Sequence, residues 1–310
     1  MLDEKNNQSW IAQRLEKNGS NQTPLIIDGG MGTELEKSGV AMSGAVWSGL
    51  AVLTNPDIVR TIHEQFIAAG AEVIIANTFA AGRHMLEPNG EGEHVSHINR
   101  DAVRLAIEAR DNASSHPVAV AGSICEWTTV RDSKWTNPEV LAISIEEQAT
   151  ILTEEGVDLI ALEMCESPEH SSACIEVALQ TGLPVWAGLS AKHHKGEDHL
   201  SVFDHTDTRF EDLVKSVAGY PVQAINIMHT PTTDVDEALD ILEKYWEGPV
   251  GVYPESGYFE MPNWQFIDVI DPQSLAQQAE GWVKRGVSML GGCCGLGPEH
   301  VRALRDTFPL

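Results

Sequence analysis

Basic residues are scarce in this chain: 20 lysines and arginines stand against 46 aspartates and glutamates, a formal net charge of -26. Nucleic-acid phosphates are gripped through lysine and arginine, so this balance excludes a nucleic-acid partner and disfavours anionic membrane surfaces. The acid excess belongs on solvated helix faces, where it aids solubility. Long apolar runs are missing as well. No stretch reaches the roughly 18 residues that a bilayer span requires, so no membrane partner is expected. The opening segment, Met1 to Gln8, is polar and lacks the apolar core of a secretory signal, which reads as a cytoplasmic protein. Cysteine is sparse, five in 310 residues. An odd handful is no disulfide framework, and reduced thiols open to a metal are the expectation.

What is present is a regular alternation. Eight short apolar runs, rich in β-branched residues, cover Leu25 to Gly30, Glu72 to Thr78, Pro117 to Ile124, Val157 to Met164, Pro184 to Ala191, Val222 to His229, Val250 to Ser256 and Val287 to Cys294. Nearly continuous apolar runs suit parallel strands covered on both faces. Helical patterns fill the gaps, from Thr54 to Gly70 through Pro298 to Phe308. Five of them open with a capping residue followed by proline: Asn55-Pro56, Asn137-Pro138, Ser167-Pro168, Asp271-Pro272 and Gly297-Pro298. Eight strand–helix units predict an α/β fold, a closed (β/α)8 TIM barrel, over an open doubly wound sheet. Gln8 to Lys17 predicts an extra N-terminal helix. Residues 1–310 read as a single barrel domain, with 1–20 as an N-terminal extension.

A barrel of this type carries its chemistry at the C-terminal ends of its strands. Those ends collect Asp28, Asn77-Thr78, Ser123, Glu163, Ser190, Met228-His229, Glu255 and Cys293-Cys294. The run Gly291-Gly292-Cys293-Cys294-Gly295 is the most informative. Neighbouring strand residues point to opposite faces, but flanking glycines let the backbone leave the pleat and turn both sulfurs to one point. Two converging thiolates suit a soft-to-borderline metal, most often zinc; the alternative is a pair of small buried residues. His229 is the best candidate for a third ligand, against a structural histidine. Glu163 ends an otherwise apolar strand and needs a partner, either a substrate ammonium or a structural cation. Asp28 begins a glycine-rich segment without the dinucleotide-binding spacing; it either meets a ligand or makes an Asp turn. The histidines and acids from His193 to His205 have no fixed ligand spacing and read as a solvated loop. Cys125, Cys165 and Cys174 read as packing residues.

These residues resemble the homocysteine S-methyltransferase family. The likeness runs from about residue 25 to residue 308. It rests on Asp28-Gly29-Gly30-Met31-Gly32-Thr33-Glu34-Leu35, on Ala69 to Ile74 followed by Asn77-Thr78-Phe79, on Gly122-Ser123-Ile124, on Leu162-Glu163, on Tyr253-Pro254, and above all on Gly291 to Gly295 with Pro298-Glu299-His300. The resemblance implies a zinc-dependent barrel enzyme that methylates the thiol of homocysteine to give methionine. It implies Zn2+ held by Cys293, Cys294 and a third cysteine ending strand six, whose place His229 takes here, so that His229, Cys293 and Cys294 are the expected metal ligands and catalytic centre. It implies Glu163 on the substrate amine and Asp28 in the homocysteine pocket, and the strand-end residues Thr78, Ser123 and Glu255 complete the expected substrate site. The partners implied are small molecules, homocysteine and a methyl donor. Three positions depart from the family pattern. Met228-His229 stands where the family has Asn-Cys, Tyr253-Pro254-Glu255 where it has Tyr-Pro-Asn, and Cys125-Glu126 where it has Gly-Pro.

With the barrel using nearly the whole chain, no module remains for a corrinoid or folate. Betaine-using relatives extend past the last helix, whereas this chain stops at Leu310. S-methylmethionine or S-adenosylmethionine is therefore the expected donor. The alternatives are methyl transfer on a related sulfur or selenium compound in an altered pocket, and a non-catalytic ligand-binding barrel.

Overall fold

The protein is seen in a computed structural model that describes residues 10–15, 23–42, 46–127, 133–260 and 265–310. Eight parallel strands form its centre: β1 (Leu25–Ile26), β2 (Val73–Ile75), β3 (Ala119–Cys125), β4 (Leu159–Cys165), β5 (Val185–Leu189), β6 (Ala224–Pro231), β7 (Val250–Glu255) and β8 (Met289–Leu290). Their order around the sheet is β1-β8-β7-β6-β5-β4-β3-β2. The two outer strands meet at a parallel bridge between Ile27 and Val73, where Asp28 N donates to Val73 O at 2.9 Å and Glu72 N to Ile26 O at 2.7 Å. The result is a (β/α)8 barrel.

Alternation within each strand builds two cores. Ile26, Ile74, Val120, Ile160 and Ile225 face outward into the helix layer. Their neighbours Leu25, Val73, Ala119, Leu159, Trp186 and Met289 fill the barrel interior. The surrounding helices include Pro56–Ala69, Val95–Ala113, Pro138–Glu154, Pro168–Gln180, Phe210–Val217, Val235–Leu242, Pro272–Lys284 and Pro298–Thr307. The side chains of Asn137, Ser167 and Asp271 accept the first-turn N–H groups of their helices. Residues 10–15 are helical, and Ile11 and Leu15 join the interior core. Arg14 reaches Glu72 at 3.0 Å and Arg305 binds the same carboxylate, which fixes this helix to the bottom of the barrel. The remainder of the expected Gln8–Lys17 helix lies outside the described residues.

Two antiparallel ribbons leave the mouth of the barrel. Ala191–Lys192 pairs with Ser201–Val202 after β5, and Tyr258–Glu260 with Gln265–Ile267 after β7. The expected strand through Cys294 ends its regular pairing at Leu290. Beyond it Gly292 N bonds to Asp28 O at 3.1 Å and Cys293 N to Pro254 O at 2.7 Å, so the segment remains tied to both neighbours while its pleat is lost. Gly295 then turns the chain at φ 83°. No helix of the described residues is long and apolar enough to cross a membrane.

Candidate metal and substrate site

Two strand irregularities shape the mouth. The β4–β5 register shifts between Leu162 and Cys165, and the β6–β7 register shifts between Met228 and Pro231. Each carries a non-glycine residue with left-handed backbone, Met164 at φ 54° and His229 at φ 49°. Such bulges re-aim side chains near sites, and a non-glycine residue held there is strained. Alternate strands of a barrel contribute to the same interior layer. Here that brings Glu163 of β4 and His229 of β6 together across β5, with His229 Nε2 2.9 Å from Glu163 Oε2.

The other face of the imidazole meets the sulfurs. His229 Nδ1 is 2.8 Å from Cys293 Sγ, and Cys293 Sγ is 3.8 Å from Cys294 Sγ. All four residues are 5–6% exposed. Ser123 donates its hydroxyl to Glu163 Oε1 at 2.5 Å, so both carboxylate oxygens are engaged. Thr78 lies behind this layer: its hydroxyl donates to Ser123 O at 2.8 Å and accepts from Ser123 N at 3.0 Å. Asn77, not Thr78, lines the cleft. Asp28 is also held from behind. Its Oδ2 accepts Ile75 N at 2.7 Å and its Oδ1 accepts the Tyr253 hydroxyl at 3.1 Å. The structure brings Ser123, Glu163, His229, Cys293 and Cys294 into one contact network, with Asp28 and Thr78 supporting its walls. Glu255 stands apart from that hydrogen-bond network, on the wall of an adjoining cavity that also contains His229 and Cys294.

That cavity, of about 450 Å³, is mainly aromatic, with Trp47, Phe79, Trp127, Phe203, Tyr258 and Phe266 on its sides. Phe79 lies against the His229 ring, centroids 5.6 Å apart. These aromatics, together with Tyr253, were missed as site residues. Most sit in loops and ribbons after the strand ends, and an isolated aromatic in a loop carries no periodic signal.

Burial alone would neutralise His229, but hydrogen bonds and charge from Glu163 and the cysteine pair outweigh it and push its pKa up to about 10. The two thiols titrate as a unit. The proton that Cys293 shares with Cys294, with the nearby imidazolium, pulls Cys294 down to about 6 against the effect of burial, while burial and that thiolate drive Cys293 well above the usual thiol range. The direct imidazole contact is to Cys293, and the pair holds one thiolate between its two sulfurs beside the imidazolium. Burial, reinforced by Cys294, pushes Glu255 up to about 8. Burial also raises Asp28, against the hydrogen bonds it accepts.

The donor set suits zinc, which takes cysteine sulfur and histidine nitrogen. Two sulfurs on one tetrahedral zinc lie about 3.8 Å apart, given Zn–S bonds of about 2.3 Å, and the cysteine pair has that separation. Histidine ligands ordinarily give their second ring nitrogen to a carboxylate, and His229 does so with Glu163. Among the described residues no three such side chains are spaced as a finished metal cage. The 2.8 Å Nδ1–Sγ contact is a hydrogen bond, shorter than the roughly 3.5 Å between two ligands of one zinc. The residues fit the ion once that bond opens by less than about 1 Å.

The cysteines outside this centre pack. Cys125, Cys165 and Cys174 are buried and burial raises all three thiols. In the histidine-rich loop, His193 pairs with Glu237 at 2.8 Å and His194 with Val202 O at 3.2 Å, so these two turn to separate partners.

Comparison with known proteins gives the family. The family model described as homocysteine S-methyltransferase matches residues 25–308. Homocysteine S-methyltransferase 3 of Zea mays is 25% identical over 92% of this chain and 90% of its own length. Selenocysteine Se-methyltransferase of Brassica oleracea var. italica is 27% identical over 90% of this chain and 87% of its own. Among solved structures, the metallated form of the homocysteine methyltransferase MmuM from Escherichia coli superposes with a TM-score of 0.73 at 25% identity, covering 92% of this chain and 96% of that one. The chain belongs to the homocysteine S-methyltransferase family, a class of methyltransferases.

Proposed function

We propose that this protein moves a methyl group from a sulfonium donor, S-methylmethionine or S-adenosylmethionine, to the thiol of homocysteine, giving methionine, with Zn2+ held by His229, Cys293 and Cys294. The observation that carries the reading is the convergence of one imidazole and two sulfurs beside a carboxylate at the barrel mouth. Bound zinc would keep a substrate thiol deprotonated at neutral pH, where a free thiol of pKa about 8.5 is mostly protonated.

The chain's own residues supply the rest. Glu163 would hold the Nε2 proton of His229, so that zinc, on displacing the Nδ1 proton, would find that nitrogen's lone pair turned toward the sulfurs. Its remaining lone pairs face a buried cleft suited to the ammonium of an amino-acid substrate. Asp28 and Thr78 keep the walls in place through Tyr253 and Ser123. Ring faces attract cations; in the cavity above Cys294 Lys192 lies 4.6 Å from the Phe203 ring, and the other aromatic faces suit a sulfonium. A carbon–sulfur bond forms to the acceptor as the methyl–sulfur bond of the donor breaks, and the donor leaves as a neutral thioether. Alignment of the three atoms is the main task of the cavity walls.

The family membership supports a second acceptor. A selenolate carries the same charge as a thiolate, and the Brassica oleracea relative is named for selenocysteine. We read the barrel as one domain spanning the chain, with residues 1–20 as an extension, working in the cytoplasm on small molecules. The test is methionine formation from homocysteine with each donor, before and after zinc removal by a chelator. Turnover that needs zinc supports the reading; zinc-bound protein inert with homocysteine and selenocysteine alike contradicts it.

A further inference from the structure

A second cavity, of about 360 Å³, adjoins the aromatic one; Trp127, Met164 and Asp204 line both. Its character is different. Three carboxylates, Glu126, Glu166 and Asp204, line it, and no lysine or arginine among the described residues does. Two of the three are engaged. Glu126 accepts Glu166 N and Ser167 N, each at 2.7 Å, and the Ser171 hydroxyl at 2.7 Å, which anchors the start of the Pro168–Gln180 helix. Asp204 Oδ2 accepts the Trp127 indole N–H at 2.9 Å.

Glu166 is the exception. It is 3% exposed, its Oε2 accepts only Asp204 N at 3.2 Å, with His205 4.0 Å away, and its Oε1 is buried without any hydrogen-bond partner among the described residues. A buried carboxylate oxygen left unpaired is costly, and such groups are kept where something binds them. Burial, and then the charges of Asp204 and Glu126, push this carboxyl up to about 9, so the free protein avoids an unpaired charge by keeping the proton. A ligand bearing its own positive charge and N–H donors would take that proton's place.

We propose that this cavity seats an ammonium group of the methyl donor, with the Glu166 carboxylate as its acceptor and Asp204 beside it. The inference rests on the methyl-transfer reading above and narrows it. Donors with an ammonium on the end away from the reacting sulfur are taken, and donors with only a carboxylate there are repelled. The aromatic cavity holds the sulfonium; the acidic one reads the far end of the molecule.

The test compares three sulfonium donors in the zinc-loaded protein: S-methylmethionine, its decarboxylated analogue with a terminal amine, and dimethylsulfoniopropionate, which has a carboxylate and no amine. The wild type is expected to favour both amine donors. Glu166→Gln preserves shape and is expected to raise KM for both by about tenfold or more, the loss of one charged hydrogen bond, with kcat nearly unchanged and dimethylsulfoniopropionate unaffected. A KM increase shared equally by all three donors, or none for the amine donors, overturns the proposal. Should E166Q fail to fold, calorimetric titration of the wild type decides: the decarboxylated amine donor binding no tighter than dimethylsulfoniopropionate overturns the seat. Tight amine binding without methyl transfer from any donor supports the seat and sinks the methyl-transfer reading instead.

Discussion

His229 Nε2 and Glu163 Oε2 stand 2.9 Å apart across an intervening strand, each residue at a break in strand register. The contact fixes which imidazole nitrogen faces the sulfurs, and it commits Glu163 to a role beyond receiving a substrate amine. Glu163→Gln keeps an acceptor for the ring N–H and removes the charge. Zinc affinity, measured by chelator competition, is expected to fall about tenfold or more, the usual effect of losing such a supporting partner. An unchanged affinity together with a raised KM for homocysteine would assign Glu163 to the substrate alone.

The imidazole also sets the charge of the centre. With zinc bound as proposed, two cysteinates, a neutral histidine and a substrate thiolate would leave one net negative charge on the divalent ion; three cysteinates would leave two. The less negative centre gives a weaker sulfur nucleophile. His229→Cys is therefore expected to retain zinc and to speed methyl transfer in single-turnover assays. A slower reaction with zinc retained would contradict this.

In metal-free protein the cysteine pair is expected to react as one thiolate. Hydrogen bonding from Cys293, opposed by burial, and the His229 charge lower the Cys294 thiol to about 6. A lowered thiol pKa means that thiolate is present above that value and is lost as pH falls through it. Alkylation followed by mass spectrometry should rise through about pH 6 and level off, well below the ordinary thiol value of about 8.5. Cys125, Cys165 and Cys174, raised by burial, should stay silent in this range. In His229→Ala the midpoint should move upward.

Gly295 holds the turn that follows the cysteine pair. At φ 83° an added Cβ would lie 2.2 Å from Ser256 O. Gly295→Ala is expected to cost about 2–3 kcal/mol, combining the left-handed penalty with overpacking. Gly39 has φ 79° with nothing within 4 Å. Gly39→Ala should cost only about 1 kcal/mol. Urea midpoints at equal slope measure both, and similar losses would remove the clash from the explanation.

The strand ends were the legible part of this molecule. Apolar runs such as Leu159 to Leu162 announce parallel strands, and a barrel turns strand ends into a site. The breaks in register were not legible, because left-handed backbone at His229 and Met164 leaves no mark in residue type. The cysteine pair was read as the end of a strand; the Gly291-Gly292 pair instead ends regular pairing at Leu290. Thr78 and Asp28 sit at strand ends as expected, yet their hydroxyl and carboxylate turn to Ser123, Ile75 and Tyr253. Sequence position gives the layer of a residue, not which neighbour claims its polar atoms. Glu166 escaped notice for a related reason: three residues past Glu163, its meaning depends on Asp204 and Glu126, brought in from other loops.

Zinc K-edge absorption spectroscopy of the zinc-loaded protein, with and without homocysteine, tests the central claim most directly. The account predicts two sulfur neighbours at about 2.3 Å and a nitrogen at about 2.0 Å, with a third sulfur appearing when homocysteine is added. A first shell of oxygen and nitrogen alone, or a shell that homocysteine leaves unchanged, would contradict it.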